Sequence, residues 1–259
     1  MADDTTPTKI ALSSTGDVVL VLQDQTELTV SAGFLTHVST TFSALLGGRF
    51  AEGQQPRSAQ DPTRISLPDD DPQSMIDLCS LLHFRPLTDF SIICPTALDA
   101  SFVCRFLGLA TVADKYDSVT VLQLSVCALL APLMRPDGTS QLDLAQLSDL
   151  VLGTYLLKLP RHYTVFSSRL VRDHTDPYTT LRTGRLVDRV GIAIIFSLES
   201  QRTAARNECI ELVEGLTSLT CHRSHCGNKQ DVTNFYEKIA SKLLVADGKT
   251  GFGAVQSLS

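Results

Sequence analysis

The N-terminal part of the chain alternates between the hydrophobic patterns of strands and of helices. Val18–Leu22 is an apolar, β-branched run, which predicts a buried strand. Residues 26–31 alternate apolar and polar side chains, so the two runs together predict a β-hairpin. Residues 34–46 carry apolar side chains at helical spacing, and the pair Gly47 and Gly48 is a helix stop signal. The chain therefore opens with a predicted hairpin that is followed by a helix.

A second strand and helix follow a polar stretch. Residues 49–63 predict a mobile loop, and residues 64–67 predict a short strand. Residues 69–71 are three aspartates directly before Pro72, a combination that is typical of a helix start. A carboxylate accepts hydrogen bonds from the unpaired backbone N–H groups of the first turn. A proline is tolerated in that turn because its missing N–H would form no hydrogen bond within the helix. A metal or acid–base cluster is the alternative interpretation, but helix capping explains the aspartates without any ligand.

The remainder of the chain shows mostly helical spacing, and the turn sequence of residues 135–138 is the candidate domain boundary. Helices are predicted at residues 98–115, 118–133, 142–159, 163–173, 186–201, 203–219 and 231–245. The expected organisation is a disordered segment at 1–15, a domain at 16–131, a helical region at 138–246 and a flexible tail at 247–259. The fold class is α+β, with a small mixed sheet flanked by helices and then a mostly α-helical C-terminal region.

Composition narrows the class of function. The chain has 259 residues, 43% of them hydrophobic, and a formal net charge of −6. This acidic balance argues against nucleic-acid binding, which needs a basic face. The polar N-terminus predicts no signal peptide, and no apolar run reaches the roughly 18 residues of a membrane span. Seven cysteines without a secretory address predict reduced thiols, so we expect an intracellular protein of the cytoplasm or nucleus.

Four segments occur in an order that resembles the BTB/POZ family. They are the opening at residues 17–21, the stretch 30–42, the Leu-Pro-Asp-Asp-Asp-Pro segment within 65–72, and residues 109–116. The resemblance covers residues 16 to about 130. Because Ser31 is polar, this version of the domain resembles the BTB proteins of filamentous fungi. It implies a non-catalytic protein-interaction module that pairs with a second copy. Ser31 and Ala32 depart from the His-Lys pair of transcription-factor members, and Thr40 departs from their proline.

The resemblance also implies a specific partner. Family members that recruit a cullin-type ubiquitin ligase scaffold carry an apolar-x-Glu motif before the third strand of the sheet. Phe50-Ala51-Glu52 occupies that position here, so Phe50 and Glu52 are the candidate partner-binding residues. A substrate adaptor for such a ligase is the specific function expected. A generic oligomerising scaffold, with these residues in an ordinary solvated loop, is the alternative.

A cluster of cysteine and histidine residues near the C-terminus offers ligands for a structural zinc ion. The candidate metal ligands are Cys209, Cys221, His222, His225 and Cys226. Their spacing matches no usual zinc motif, so buried thiols beside a polar loop remain the other interpretation. With zinc, the chain would be a transcription or chromatin-associated protein. An enzyme is not expected, because neither a nucleophile elbow nor a phosphate-binding loop accompanies the cluster.

Overall fold

The computed structural model describes residues 8–48, 50–87, 100–135, 142–174, 178 and 189–219. The chain divides into two compact units, residues 1–134 with 141–163, and residues 135–140 with 164–259. The first unit contains the sheet, so the fold is a mixed α+β fold, as the sequence predicts. The sheet-containing unit extends beyond the predicted domain boundary at residue 131. In the described part of the chain, no helix has the combined length and apolar character of a membrane span.

The sheet has four strands in the order β1-β3-β2-β4. They are β1 (Lys9–Ala11), β2 (Val18–Leu22), β3 (Glu27–Val30) and β4 (Thr63–Leu67). Strands β2 and β3 pair antiparallel, which confirms the predicted hairpin, and β4 lies parallel to β2. Strand β1 pairs parallel with β3, so the prediction of a disordered segment over residues 1–15 is wrong for this strand. A three-residue edge strand is too short to show a hydrophobic period, and only its pairing with β3 makes it a strand.

The helix predicted for residues 34–46 is two helices, α1 (Ala32–Val38) and α2 (Thr40–Leu45). Ser39 lies between them with extended backbone, and its hydroxyl accepts the Phe42 amide at 3.0 Å. The same hydroxyl donates to the carbonyl of Tyr116, far along the chain. The break therefore comes from an N-cap and a tertiary contact that helical spacing does not reveal.

After the short helix α3 (Ala51–Gln54) and strand β4, helix α4 (Pro72–Leu82) begins as predicted. Asp71 is its N-cap, and one carboxylate oxygen accepts the Ser74 amide at 2.9 Å. Pro72 occupies the first turn. This start is specified by neighbouring residues alone.

Helices α5 (Ala100–Lys115), α6 (Val119–Leu130) and α7 (Leu144–Leu156) complete the first unit, with a 3-10 turn at Ala131–Met134. Helices α5 and α7 approach closely at Gly153, where an added Cβ would lie 2.4 Å from the ring of Phe106. Phe106 is fully buried, so this glycine allows an aromatic ring to fill the space between the two helices.

Helix α8 (Pro160–Asp173) follows, and the second unit contains α9 (Arg189–Leu219). The helical spacing predicts separate helices at residues 186–201 and 203–219, whereas the structure shows one continuous helix from residue 189. No proline or glycine lies at the expected break, so the helix continues through it. Within the second unit, the guanidinium of Arg202 lies 3.8 Å from the centre of the Tyr178 ring.

Candidate interaction surface

Two distant side chains fix the start of helix α1. Its N-cap residue, Ser31, makes no side-chain capping bond. Instead, the amide of Ala32 donates to Asp17 Oδ1 at 2.8 Å, and the amide of Ser31 donates to His83 Nε2 at 3.0 Å. These bonds satisfy amide groups that a helix cannot pair internally. Asp17 and His83 therefore take the place of a local cap and hold α1 in position.

The bonding of His83 determines which of its ring nitrogens carries the proton. Because Nε2 accepts the Ser31 amide, the proton lies on Nδ1, which donates to the Cys79 carbonyl at 2.8 Å. Burial lowers the pKa of His83, and the charge of Arg85 lowers it further, against the effect of the Cys79 bond. His83 is therefore a neutral, buried imidazole with both nitrogens bonded to backbone groups.

Helix α4 ends at Leu82, with His83 as its C-cap, and the chain leaves the helix through a Schellman motif. The Phe84 amide donates to the Leu81 carbonyl at 3.1 Å, and the Arg85 amide donates to the Ser80 carbonyl at 2.8 Å. Phe84 occupies the left-handed position of the motif with a φ of 56°. Glycine is usual there, since a Cβ in this conformation costs roughly 1–2 kcal/mol. Phe84 is nevertheless 85% exposed, so little burial offsets the strain.

Phe34 on α1 lies against Phe84 and His83. The ring centres of Phe34 and Phe84 are 6.3 Å apart and those of Phe34 and His83 are 5.5 Å apart, both edge to face. Phe34 is 46% exposed. We call the exposed pair Phe34 and Phe84 the aromatic face. Arg85, also exposed, borders it and donates through Nε to the Leu12 carbonyl at 3.2 Å.

The predicted partner-binding residue Phe50 lies on a closed loop. Its amide donates to the Gly47 carbonyl at 3.4 Å, and its carbonyl accepts the Gly53 amide at 3.0 Å. A Cβ on Gly53 would lie 1.8 Å from the Gly47 oxygen, so only glycine permits this closure. Phe50 is 49% exposed, while Glu52 follows in α3 with its side chain outside the described residues. The predicted contact between this pair and a cullin-type scaffold stays a prediction.

The zinc prediction falls mostly on residues that the structure does not describe. Cys209 lies exposed on α9 as a free thiol. Cys221, His222, His225 and Cys226 lie outside the described residues, so the proposed ligand set stays a prediction. Among the side chains that are described, no three or more histidine, cysteine or acidic residues group as metal ligands would.

The titratable groups in the core of the first unit are held in their uncharged or paired forms. Burial, reinforced by the charge of Asp70, raises the pKa of Cys79 to about 12, so this thiol carries no nucleophilic thiolate at neutral pH. Burial and the bond to Asp70 raise the pKa of Tyr116 as well. Asp77 is paired with Arg105 at 2.6 Å. These contacts tie helices α4 and α5 together inside the first unit.

Sequence reasoning did not single out the aromatic face or His83. The one local signal is the sequence His83-Phe84-Arg85 at the end of a helical pattern that lacks the usual glycine. A comparison with protein-family models found no match for this chain, and a search of curated proteins found none either.

Proposed function

We propose that this chain is a BTB/POZ-type module with no catalytic role, which binds proteins and pairs with a second copy of itself through the aromatic face. The observation that carries this proposal is Phe84, an aromatic side chain that is 85% exposed in a left-handed conformation. Folding alone would favour glycine at this position. Strain that the fold does not require is typical of a binding residue.

A second copy is the occupant that we infer for the aromatic face. Twofold pairing brings the same patch from both molecules together, so each aromatic side chain meets another. Phe34 and Phe84 already lie edge to face, an arrangement that leaves ring faces and edges open to further aromatic partners. Large aromatic side chains at the centre of an interface provide much of its binding energy.

Replacing Phe84 by glycine is expected to stabilise the fold and weaken pairing at the same time. The free energy of unfolding should rise by about 0.5–1 kcal/mol, because the left-handed strain disappears and only part of the gain is lost to unfolded-chain entropy. Self-association should weaken at least about tenfold, since an aromatic anchor is removed. Urea unfolding gives the first quantity, and light scattering over a concentration series gives the second.

Lys158→Gly is the matched control. Lys158 occupies the same position of a Schellman motif at the end of α7, with a φ of 53°. Its replacement should stabilise the fold to a similar extent and leave self-association unchanged. If the wild-type chain remains a monomer at high micromolar concentration, pairing through the aromatic face is refuted. Binding of a different protein at this face would then have to be sought.

The more specific function that we propose is a substrate adaptor for a cullin-type ubiquitin ligase, with Phe50 and Glu52 as the contact. The closed loop presents Phe50 half exposed, which supports this role. The double substitution Phe50→Ala and Glu52→Ala is expected to abolish micromolar binding to the purified scaffold, measured by calorimetry. The melting temperature of the variant should match the wild type. An absence of wild-type binding at micromolar concentration would contradict the adaptor function and leave a general interaction module.

A further inference from the structure

We propose that His83 is a proton-controlled latch for the aromatic face, so that protonation of its Nε2 releases the Ser31 amide and loosens the start of α1. The inference rests on the proposed function in one respect, namely that the aromatic face mediates pairing. The latch itself is a property of the first unit and can be tested without any partner.

The latch follows from the two bonds of the imidazole ring. In the neutral form, Nε2 accepts the Ser31 amide at 3.0 Å while Nδ1 donates to the Cys79 carbonyl. A protonated imidazole has donors at both nitrogens and no acceptor. An N–H on Nε2 would therefore point at the N–H of Ser31, and the bond between them would be lost. His83 is only 9% exposed, so water cannot easily replace this partner in the closed structure.

The charged and titratable groups around the His83 ring influence its protonation to different extents. Arg85, two residues along the chain, opposes a second positive charge. Asp17 is the carboxylate at this end of α1, and the Ala32 amide already engages one of its oxygens. The Cys79 thiol, one turn earlier on α4, is uncharged at neutral pH. His37 is a second imidazole, exposed on α1 one turn after Phe34, so the test includes the control variant His37→Gln.

The released segment carries part of the aromatic face. Helix α1 has only seven residues, and Ser31 is the residue from which it starts. Phe34 lies in its first turn with its ring against His83. When the Ser31 bond is lost, the bond from the Ala32 amide to Asp17 is the described side-chain contact that still holds the start of α1. Phe34 then loses its fixed position relative to Phe84, and pairing should weaken.

The lowered pKa of His83 favours the neutral ring in the closed structure, and it determines whether the latch opens as the pH rises or as it falls. The latch is closed at neutral pH and above. As the pH falls below the ordinary histidine value of about 6.5, protons bind preferentially to the open form and shift the population toward it. Pairing should therefore be strong near about pH 7.5 and weaker near about pH 5.5.

Amide hydrogen exchange measured by NMR tests the latch directly. The protection factor of the Ser31 amide, corrected for the intrinsic exchange rate, should fall severalfold, up to about tenfold, from pH 7.5 to 5.5 in the wild type and in His37→Gln. It should stay constant in His83→Gln, whose side chain can bond Ser31 and Cys79 but does not titrate. In the wild type, the ring ¹⁵N shifts of His83 should show protonation of this ring as the pH falls and the Ser31 protection is lost, a measurement that does not depend on the variant folding. Constant wild-type protection would overturn the latch.

Light scattering at the same two pH values tests the link to pairing. At the lower pH the dissociation constant should rise by up to about tenfold for each protomer of the wild type, and by less than about twofold in total for His83→Gln. Equal weakening in both proteins would overturn the coupling. A chain that is monomeric at both pH values would contradict the proposed pairing, and the Ser31 protection would then decide the latch alone.

Discussion

Replacement of Asp77 by alanine is expected to lower the free energy of unfolding by about 3–5 kcal/mol, because it removes the buried carboxylate that pairs with a largely buried guanidinium. Asp77 is 1% exposed, and its two oxygens accept from Nε and Nη2 of Arg105, each at 2.6 Å. Gln73 adds a third bond to the same carboxylate at 2.9 Å. Urea denaturation, monitored by circular dichroism, gives the decrease in the free energy of unfolding.

The controls separate the charge from the packing. Asp77→Asn keeps one acceptor oxygen, so its loss should be smaller. The double variant Asp77→Ala with Arg105→Met removes both charges and preserves apolar volume, and it should recover most of the stability. A loss below about 1 kcal/mol for Asp77→Ala would show that the pair is hydrated in solution and contributes little.

The pair also matters for function, because it links α4 to α5. His83 and Phe84, which form the latch and part of the aromatic face, directly follow the end of α4. A shift of α4 would move both relative to α1. We therefore expect Asp77→Ala to impair pairing only to the extent that it unfolds the chain or displaces α4, whereas Phe84→Gly impairs pairing in a more stable protein.

The parts of the fold that were predicted correctly depend on neighbours in the sequence. The start of α4 is fixed by Asp71 and Pro72 within one turn, so capping rules suffice. The hairpin of β2 and β3 is likewise a local pairing. The break between α1 and α2 was missed because Ser39 also bonds the carbonyl of Tyr116, which lies 77 positions away. Local spacing contains no information about such a contact.

The candidate interaction surface shows the same limit. Phe50 and Glu52 were found from a resemblance, which gives a position in the chain but not the exposure of a side chain. His83 acquires its role only when the fold brings it to Ser31, 52 residues earlier. The left-handed backbone of Phe84 belongs to a local motif at the end of α4. It could not be predicted from the sequence, because the glycine that usually marks this conformation is replaced by phenylalanine.

Asp70 is a further case in which the tertiary structure determines the role. It was expected to act with its neighbours at the start of α4, yet its Oδ1 accepts from Lys115 Nζ and its Oδ2 from the Tyr116 hydroxyl, both at 2.7 Å. Asp70 is 4% exposed, and the Tyr116 ring stacks on Phe42 at 4.4 Å between ring centres. The carboxylate thus fixes the end of α5 against the start of α4. Through the ring of Tyr116, it also helps to hold α2 in place.

We expect Asp70→Ala to lower the free energy of unfolding by about 2–3 kcal/mol, because the buried Tyr116 hydroxyl loses its acceptor and a charge-assisted bond disappears. Lys115→Met should cost less than about 1 kcal/mol, since the lysine is 48% exposed and its ion pair is screened by water. Tyr116→Phe should cost about 1 kcal/mol, and the cycle of Asp70→Ala with Tyr116→Phe isolates the bond between them. If the effects of the two substitutions simply add, the hydroxyl does not depend on Asp70, and the stacked ring of Tyr116 rather than its bond holds α2 to α5.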